Sequence, residues 1–124
     1  MLADCQLMPF VSTTDLDRAR DFYRDVLGLG LVEQTQYACV FDAAGTTLRV
    51  TRAETVAAAP YTVLGWIVED IHREVRALAA QDVVFRRYEG MGQDEAGVWT
   101  TPTGDRVAWF TDPDGNMLSL TQYA

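Results

Sequence analysis

The spacing of apolar residues along the chain predicts the same order of elements twice. In the first half, residues 6–11 have the apolar character of a strand, and a stripe with helical spacing follows them. Residues 31–35, 37–42 and 46–52 then predict three strands, and the last two are joined by the tight Ala44-Gly45 connection. The helical stripe consists of Leu16, Ala19, Phe22, Tyr23, Val26 and Leu27.

Both ends of this first helix carry sequence signals. Thr14, followed three residues later by Asp17, resembles a capping box, in which side chains accept hydrogen bonds from free amides at a helix start. Gly28 stands where a helix end favours a residue with left-handed backbone. We therefore expect the helix to lie between Thr14 and Gly28, with Phe22 and Tyr23 packed in the core.

The second half repeats this order after a linker at 53–60. Strands are predicted at 61–68, 83–88, 106–111 and 117–122, and a helix is predicted to start at Glu69-Asp70. A polar loop is expected at 90–97, and the last two strands should be joined by a turn at Asp112-Pro113-Asp114-Gly115. The helix stripe is Ile71, Val75, Leu78 and Ala79. The halves align at an offset of 55 residues, which places Asp15 on Asp70, Leu16 on Ile71 and Arg18 on Arg73.

This duplication predicts an α+β fold. We expect one domain, 1–124, made of two βαβββ modules at about 5–52 and 61–123. Neither module could bury a sheet face alone, so pairing them should give a curved, eight-stranded mixed sheet with its helices on the convex side. The concave side would then be free to hold a ligand.

Composition narrows the chemistry. The 124 residues carry a formal charge of −8, which argues against nucleic acid or an anionic membrane as a partner. No apolar run is long enough to cross a bilayer, and no signal-peptide pattern stands at the N-terminus, so we expect a cytoplasmic protein. All ten basic residues are arginine, which excludes a Schiff-base lysine and a P-loop. Cys5 and Cys39 are expected to be reduced thiols in the core.

Three stretches resemble the vicinal oxygen chelate superfamily, which includes glyoxalase I, extradiol dioxygenases and bleomycin-resistance proteins. They are 15–23 followed by Val26-Leu27-Gly28-Leu29, then Val68-Glu69-Asp70-Ile71, and Asp112-Pro113-Asp114-Gly115-Asn116 followed by Leu118 and Leu120. The resemblance covers nearly the whole chain and implies the fold described above. These motifs belong to the scaffold and say little about a reaction.

The resemblance also implies where metal ligands stand in metal-dependent members. Counted from the motifs, these positions hold Met8, Arg49, Val63 and Ser119, none of which is a usual ligand for a divalent cation. The single histidine, His72, lies at a helix start and is expected to face away from the concave side. We therefore expect no metal and no cofactor.

The same counting suggests ligand-binding residues. Met8 and Phe10 share a face of the first strand, Phe41 and Trp109 are candidate walls, and Trp99 follows a mobile-looking loop and could cover a ligand. Arg49 is the one charged residue placed inside, and Val63 and Ser119 complete the lining. For Met8, Phe10, Phe41, Trp99 and Trp109 the alternative is core packing. For Arg49 it is a salt bridge to a carboxylate across the sheet or a dimer.

Three functions remain open at this point. The first is a metal-free binding protein of the bleomycin-resistance type, sequestering an aromatic or cationic natural product as a homodimer. The second is a glyoxalase-like enzyme. It would be either a metal-dependent lyase or dioxygenase, or an isomerase in which Arg49 stabilises an enolate and Asp42, Glu89 or Tyr88 moves a proton. The third is an assembly module whose concave side is filled; a cavity of a few hundred Å³ would argue against it.

Overall fold

The computed structural model describes all residues, 1–124, and contains two compact units, Met1–Ala57 and Ala58–Ala124. The first unit contains β1 (Phe10–Thr13), α1 (Leu16–Asp21), β2 (Gly30–Gln34), β3 (Ala38–Ala43) and β4 (Thr46–Arg52). The second contains β5 (Leu64–Ile67), α2 (Ile71–Ala79), β6 (Trp99–Thr100), β7 (Arg106–Thr111) and β8 (Met117–Gln122). Each unit thus has the predicted order of one strand, one helix and three strands.

The two sheets have the same topology. In the first unit the strands lie in the order β1-β4-β3-β2, and in the second in the order β5-β8-β7-β6. The first strand of each unit pairs in parallel with the last, and the remaining neighbours are antiparallel. The predicted α+β class is confirmed. Its eight strands form two four-stranded mixed sheets, one in each unit.

The helix starts show the duplication in atomic detail. The Asp15 carboxylate accepts a hydrogen bond from the Arg18 amide at 3.0 Å, and Asp70 accepts one from the Arg73 amide at 3.1 Å. Both aspartates have extended backbone, as an N-cap requires. The predicted cap at Thr14 is therefore wrong by one residue, because the Asp15 carboxylate provides the acceptor.

The first helix does not stay α-helical to its predicted end. After Asp21 the backbone widens into a π-helical turn, Phe22–Val26, and Gly28 follows with a φ of 77°. This turn carries Tyr23, which is fully buried and packs against the rings of Phe22 and Phe41. The longest helix, α2, has nine residues, and no helix combines the length and apolar character needed to cross a membrane.

Two predicted strands differ from the structure. The first strand begins only at Phe10, because Pro9 has no amide hydrogen to donate to a neighbour. The segment 83–88 is not a strand, although the Arg86 amide donates to the Trp109 carbonyl at 2.7 Å. The second strand of the second unit is instead the two-residue β6, which contains Trp99.

The turn between β7 and β8 forms as predicted. Asp112 is buried, and its carboxylate accepts hydrogen bonds from the Asp114 and Asn116 amides and from the Asn116 side chain at 2.8–2.9 Å. Gly115 has a φ of 87°, which a residue with a side chain rarely adopts. The burial of Asp112 is possible because its oxygens are satisfied within the turn.

Both cysteines are unpaired thiols, but only one lies in the core. Cys39 is buried on β3, and burial raises the pKa of its thiol. Cys5 is exposed, follows a short 3₁₀ turn at Leu2–Asp4, and belongs to no strand. The predicted core position of Cys5 is therefore wrong, because the strand starts five residues later.

Candidate functional site

Each sheet has one face covered by its helix and one opposite face, which we call the open face. In the second unit, Ala108, Phe110, Leu118 and Leu120 are buried on the helix side. Side chains alternate along a strand, so Trp109 and Ser119, which pair with each other across β7 and β8, lie on the open face.

Three aromatic rings meet on this open face. The Trp99 and Trp109 rings stack with their centroids 6.1 Å apart and an interplanar angle of 28°. Tyr88 meets Trp109 edge to face at 5.5 Å. The Tyr88 hydroxyl also lies 3.9 Å from the Met117 sulfur, a weak acceptor. The rings thus fix one another's orientation.

A cavity of about 390 Å³ opens beside these rings. Its lining contains no charged residue: Pro60, Tyr61, Thr62, Tyr88, Met91, Trp109 and Met117. The volume lies within the range of small-molecule sites. Because rings, thioethers and a proline dominate its wall, this cavity suits a ligand with an apolar, planar surface.

The loop that brings Tyr88 and Met91 to the cavity is held by the Gln93 side chain. Its amide oxygen accepts from the Tyr88 amide at 2.6 Å, and its amide nitrogen donates to the Arg86 and Gly97 carbonyls, both at 2.8 Å. One side chain therefore joins the two ends of the loop.

Asp94 fixes the same loop to α2. One carboxylate oxygen accepts from the Ala96 and Val98 amides at 3.0 and 2.9 Å, and the other lies 2.7 Å from His72 Nε2. Burial by itself would raise the pKa of Asp94, but the hydrogen bonds from His72 and the two amides outweigh it and lower that pKa. The only histidine thus supports the loop from outside the cavity.

Ser119 and Val63 lie next to this region. Ser119 is 7% exposed, and a Cβ built on Gly65 would come within 3.0 Å of its hydroxyl oxygen. Val63 is 42% exposed, and its amide donates to the Met117 carbonyl at 2.9 Å. Neither residue lines the cavity.

The open face of the first unit has different chemistry. Phe10, Arg49 and Val40 are paired neighbours across β1, β4 and β3, and Phe10 is 54% exposed. Met8, two residues before Phe10, is also exposed. Arg49 is half-buried, and its guanidinium makes no hydrogen bond or ion pair within the chain.

Phe41 is the one predicted site residue that lies on the wrong face. It is completely buried and pairs across the sheet with Leu48, which is buried as well. Its ring packs against Tyr23 at 5.7 Å, on the helix side. Phe41 is therefore a core residue of the first unit.

Of the predicted residues, only Trp109 lines the cavity, with Trp99 stacked behind it. Met91 and Met117 are not among the site residues predicted from the sequence, and Tyr88 is predicted there only as a proton carrier. Met117 could have been found, because it lies two residues from Ser119 on β8 and therefore on the same face.

The residues present do not fit a divalent cation. Met8 and Arg49 on the first unit offer a thioether and a cation, whereas Val63 and Ser119 on the second offer a hydrocarbon and a hydroxyl. No three His, Cys, Asp or Glu side chains come together anywhere as a possible ligand set. Hard divalent cations prefer carboxylate oxygens, and zinc prefers imidazole or thiolate.

Comparison with known families identifies the chain. The model of the glyoxalase/bleomycin resistance protein/dioxygenase superfamily matches residues 6–120. The chain belongs to this superfamily. No curated protein is similar enough in sequence to count as a relative.

Solved structures of the superfamily share its fold. Lactoylglutathione lyase from Agrobacterium tumefaciens is 18% identical, with a TM-score of 0.76 over 98% of this chain and 96% of that one. A superfamily member from Sphaerobacter thermophilus is 21% identical, with a TM-score of 0.75 over 98% and 99%. One from Alicyclobacillus acidocaldarius is 20% identical, with a TM-score of 0.71 over 97% and 92%. At these identities the likeness supports the fold alone.

Proposed function

We propose that this superfamily member is a metal-free binding protein that sequesters a planar aromatic molecule in the cavity beside Trp109. The observation that carries the proposal is the uncharged, 390 Å³ cavity with Tyr88 and Trp109 in its wall. Bleomycin-resistance proteins are one of the three groups in the superfamily's name, and sequestration of a natural product or antibiotic would be the corresponding function here.

The arrangement of rings favours a flat ligand. Aromatic rings in offset or edge contact gain about 0.5–1.5 kcal/mol beyond the burial of their surface. Tyr88 and Trp109 are already fixed against each other, and Trp109 also against Trp99, so little side-chain freedom would be lost on binding.

The aromatic lining favours a cationic member of this class. The chain carries −8, and ring faces attract cations that lie within about 6 Å. The lining has no charged group that would oppose a cation. The long-range field adds little at physiological salt, where it is screened beyond about 8 Å, so the ring faces carry this preference.

Calorimetric titration with a panel of compounds tests the proposal. The panel contains planar cationic, planar neutral and aliphatic natural products of similar size. Trp109→Leu should weaken binding of the planar compounds at least about tenfold, since it removes both burial and ring contact. Trp66→Leu is the matched control, because it removes an indole from the helix side of the same sheet.

Two results would contradict the proposal. One is that no planar compound binds the wild-type protein at any accessible concentration. The other is that Trp109→Leu and Trp66→Leu weaken binding equally. Circular dichroism of both variants at the titration temperature ensures that binding, not folding, is compared. The homodimer stays a prediction, and sedimentation of the same samples measures it.

A further inference from the structure

Arg49 differs from every other arginine of the chain. Five arginines have partners for their guanidinium groups: Arg18, Arg20, Arg24, Arg73 and Arg87. Among those without a partner, Arg52, Arg76, Arg86 and Arg106 are exposed and can be solvated by water. Arg49 alone is half-buried and unpaired. None of its guanidinium nitrogens is buried, so all of its donors remain accessible to a ligand.

The acidic residues on the same face do not neutralise it. Asp42 lies diagonally across from Arg49, at a spacing of about 7–8 Å that long side chains can cross. Its carboxylate instead accepts the Gly45 amide at 3.1 Å and closes the hairpin between β3 and β4. Glu33 pairs with Val40 and is therefore two strands, about 10 Å, from Arg49.

The immediate neighbours of Arg49 are apolar. Phe10 lies beside it on β1 and Val40 on β3, and the Phe10 ring is more than half exposed. A guanidinium has a planar fork of donors that matches the two oxygens of a carboxylate. A carboxylate attached to an apolar body would therefore satisfy the donors and cover Phe10 at the same time.

We propose that the open face of the first unit is a binding site for a small organic carboxylate, held by the Arg49 guanidinium and the Phe10 ring. One guanidinium balances one negative charge, which a carboxylate carries; a phosphate monoester carries up to two near pH 7. The proposal rests on Arg49 and its neighbours and is independent of the cavity beside Trp109.

Benzoate is the probe, with benzamide as its uncharged counterpart and inorganic phosphate as an anion without an apolar body. Protein labelled with ¹⁵N-arginine reports on each side-chain Nε–H group by NMR. Benzoate should shift the Arg49 signal, assigned from its loss in Arg49→Gln, with a dissociation constant at least about tenfold lower than that of benzamide or phosphate.

Variants on the same strand separate this site from general charge attraction. Arg49→Gln should abolish the benzoate response, and Arg49→Lys should weaken it because the fork is lost. Arg52→Gln makes the same charge change at an exposed, unpaired arginine at the end of β4 and should leave benzoate affinity unchanged. Arg49→Met keeps an apolar stem and serves as a second variant if Arg49→Gln folds poorly.

Three results would overturn the inference: equal effects of Arg49→Gln and Arg52→Gln, equal binding of benzamide and benzoate, or no binding of benzoate. In the third case, a change in sedimentation on Arg49→Gln would show that a second copy of the chain supplies the missing acid. If planar compounds still bind through Trp109 while benzoate does not, only this inference fails. If benzoate alone binds, only the proposed function fails.

Discussion

Removing the Asp94 carboxylate should open the loop that carries Tyr88 and Met91. Asp94→Ala deletes three hydrogen bonds, to the Ala96 amide, the Val98 amide and His72. It leaves the bridge made by Gln93 in place. We therefore expect a local change in the second unit rather than global unfolding, because the hydrogen bonds of the Gln93 side chain still join the two ends of the loop.

The size of the effect follows from these three contacts. Each hydrogen bond contributes about 0.5–1.5 kcal/mol net, and the low end applies because the Asp94 side chain is 46% exposed. The free energy of opening the loop should thus fall by about 1–3 kcal/mol. Amide exchange at Ala96 and Val98 should then be roughly 5- to 150-fold faster.

Hydrogen exchange measured by NMR or mass spectrometry over residues 88–98 tests this prediction. Glu95→Ala is the matched control, because it removes the same charge from the next residue, whose carboxylate forms no hydrogen bond. Planar compounds that bind the wild-type protein should bind Asp94→Ala several-fold more weakly and Glu95→Ala normally. Equal exchange rates in the two variants would refute the idea that Asp94 holds the loop.

Acid should have the same effect on the unsubstituted protein. The pKa of Asp94 is lowered in the fold from a usual value of 3.8, so its ionised form is the one that the fold stabilises. This stabilisation is complete above the unfolded-state pKa and disappears as pH falls through the lower, folded-state pKa. Exchange in the loop, corrected for its intrinsic acid dependence, should therefore accelerate below about pH 4 in the wild-type protein and change less in Asp94→Ala.

Three further predictions concern stability and reactivity. Asp15→Ala and Asp70→Ala should each lower the free energy of unfolding by about 1 kcal/mol in urea titrations, and a large inequality would show that the two caps are not equivalent. Gly65→Ala should destabilise the second unit, because its Cβ would lie 3.0 Å from the Ser119 hydroxyl. Adding Ser119→Ala should recover part of the lost stability. A double-mutant cycle that shows no coupling between the two positions would contradict this explanation. The Cys39 thiol, buried and with a raised pKa, should react with a thiol reagent only on unfolding, and rapid labelling under native conditions would contradict its burial.

Sequence reasoning succeeded where one local cause decides the structure. The Asp112–Gly115 turn and the positive φ of Gly28 each depend on residues within a few positions of one another, and the start of the first helix is predicted to within one residue for the same reason. The offset of 55 residues between the two halves predicted the repeated element order, and the structure shows that the same order leads to the same pairing of strands in both units.

It failed where contacts with residues outside a segment decide the structure of that segment. Residues 37–41 are all apolar, so alternation could not show that Phe41 faces the helix. Residues 83–88 have the composition of a strand, but the Gln93 side chain hydrogen bonds to the Arg86 carbonyl and Tyr88 amide that a strand partner would use. No periodicity within the segment could indicate that partner.

The two open faces show how one backbone plan supports two kinds of site. Phe10 and Gly65 both stand five residues before their N-cap, and each pairs with the last strand of its unit. The matched rows are Phe10, Arg49 and Val40 in the first unit and Gly65, Ser119 and Trp109 in the second.

The two rows carry their large aromatic side chain on different strands. In the first unit it is Phe10 on the edge strand β1, and in the second it is Trp109 on β7, the third strand of the sheet. In the first unit the ring stands on the edge beside a cation, whereas in the second a glycine occupies the edge and the indole stands beside the cavity. Gly65 cannot take a side chain without displacing the Ser119 hydroxyl, so the small edge residue and the serine depend on each other. The chemistry of each face therefore depends on three positions of a shared framework, and a ligand class should follow those positions rather than the fold.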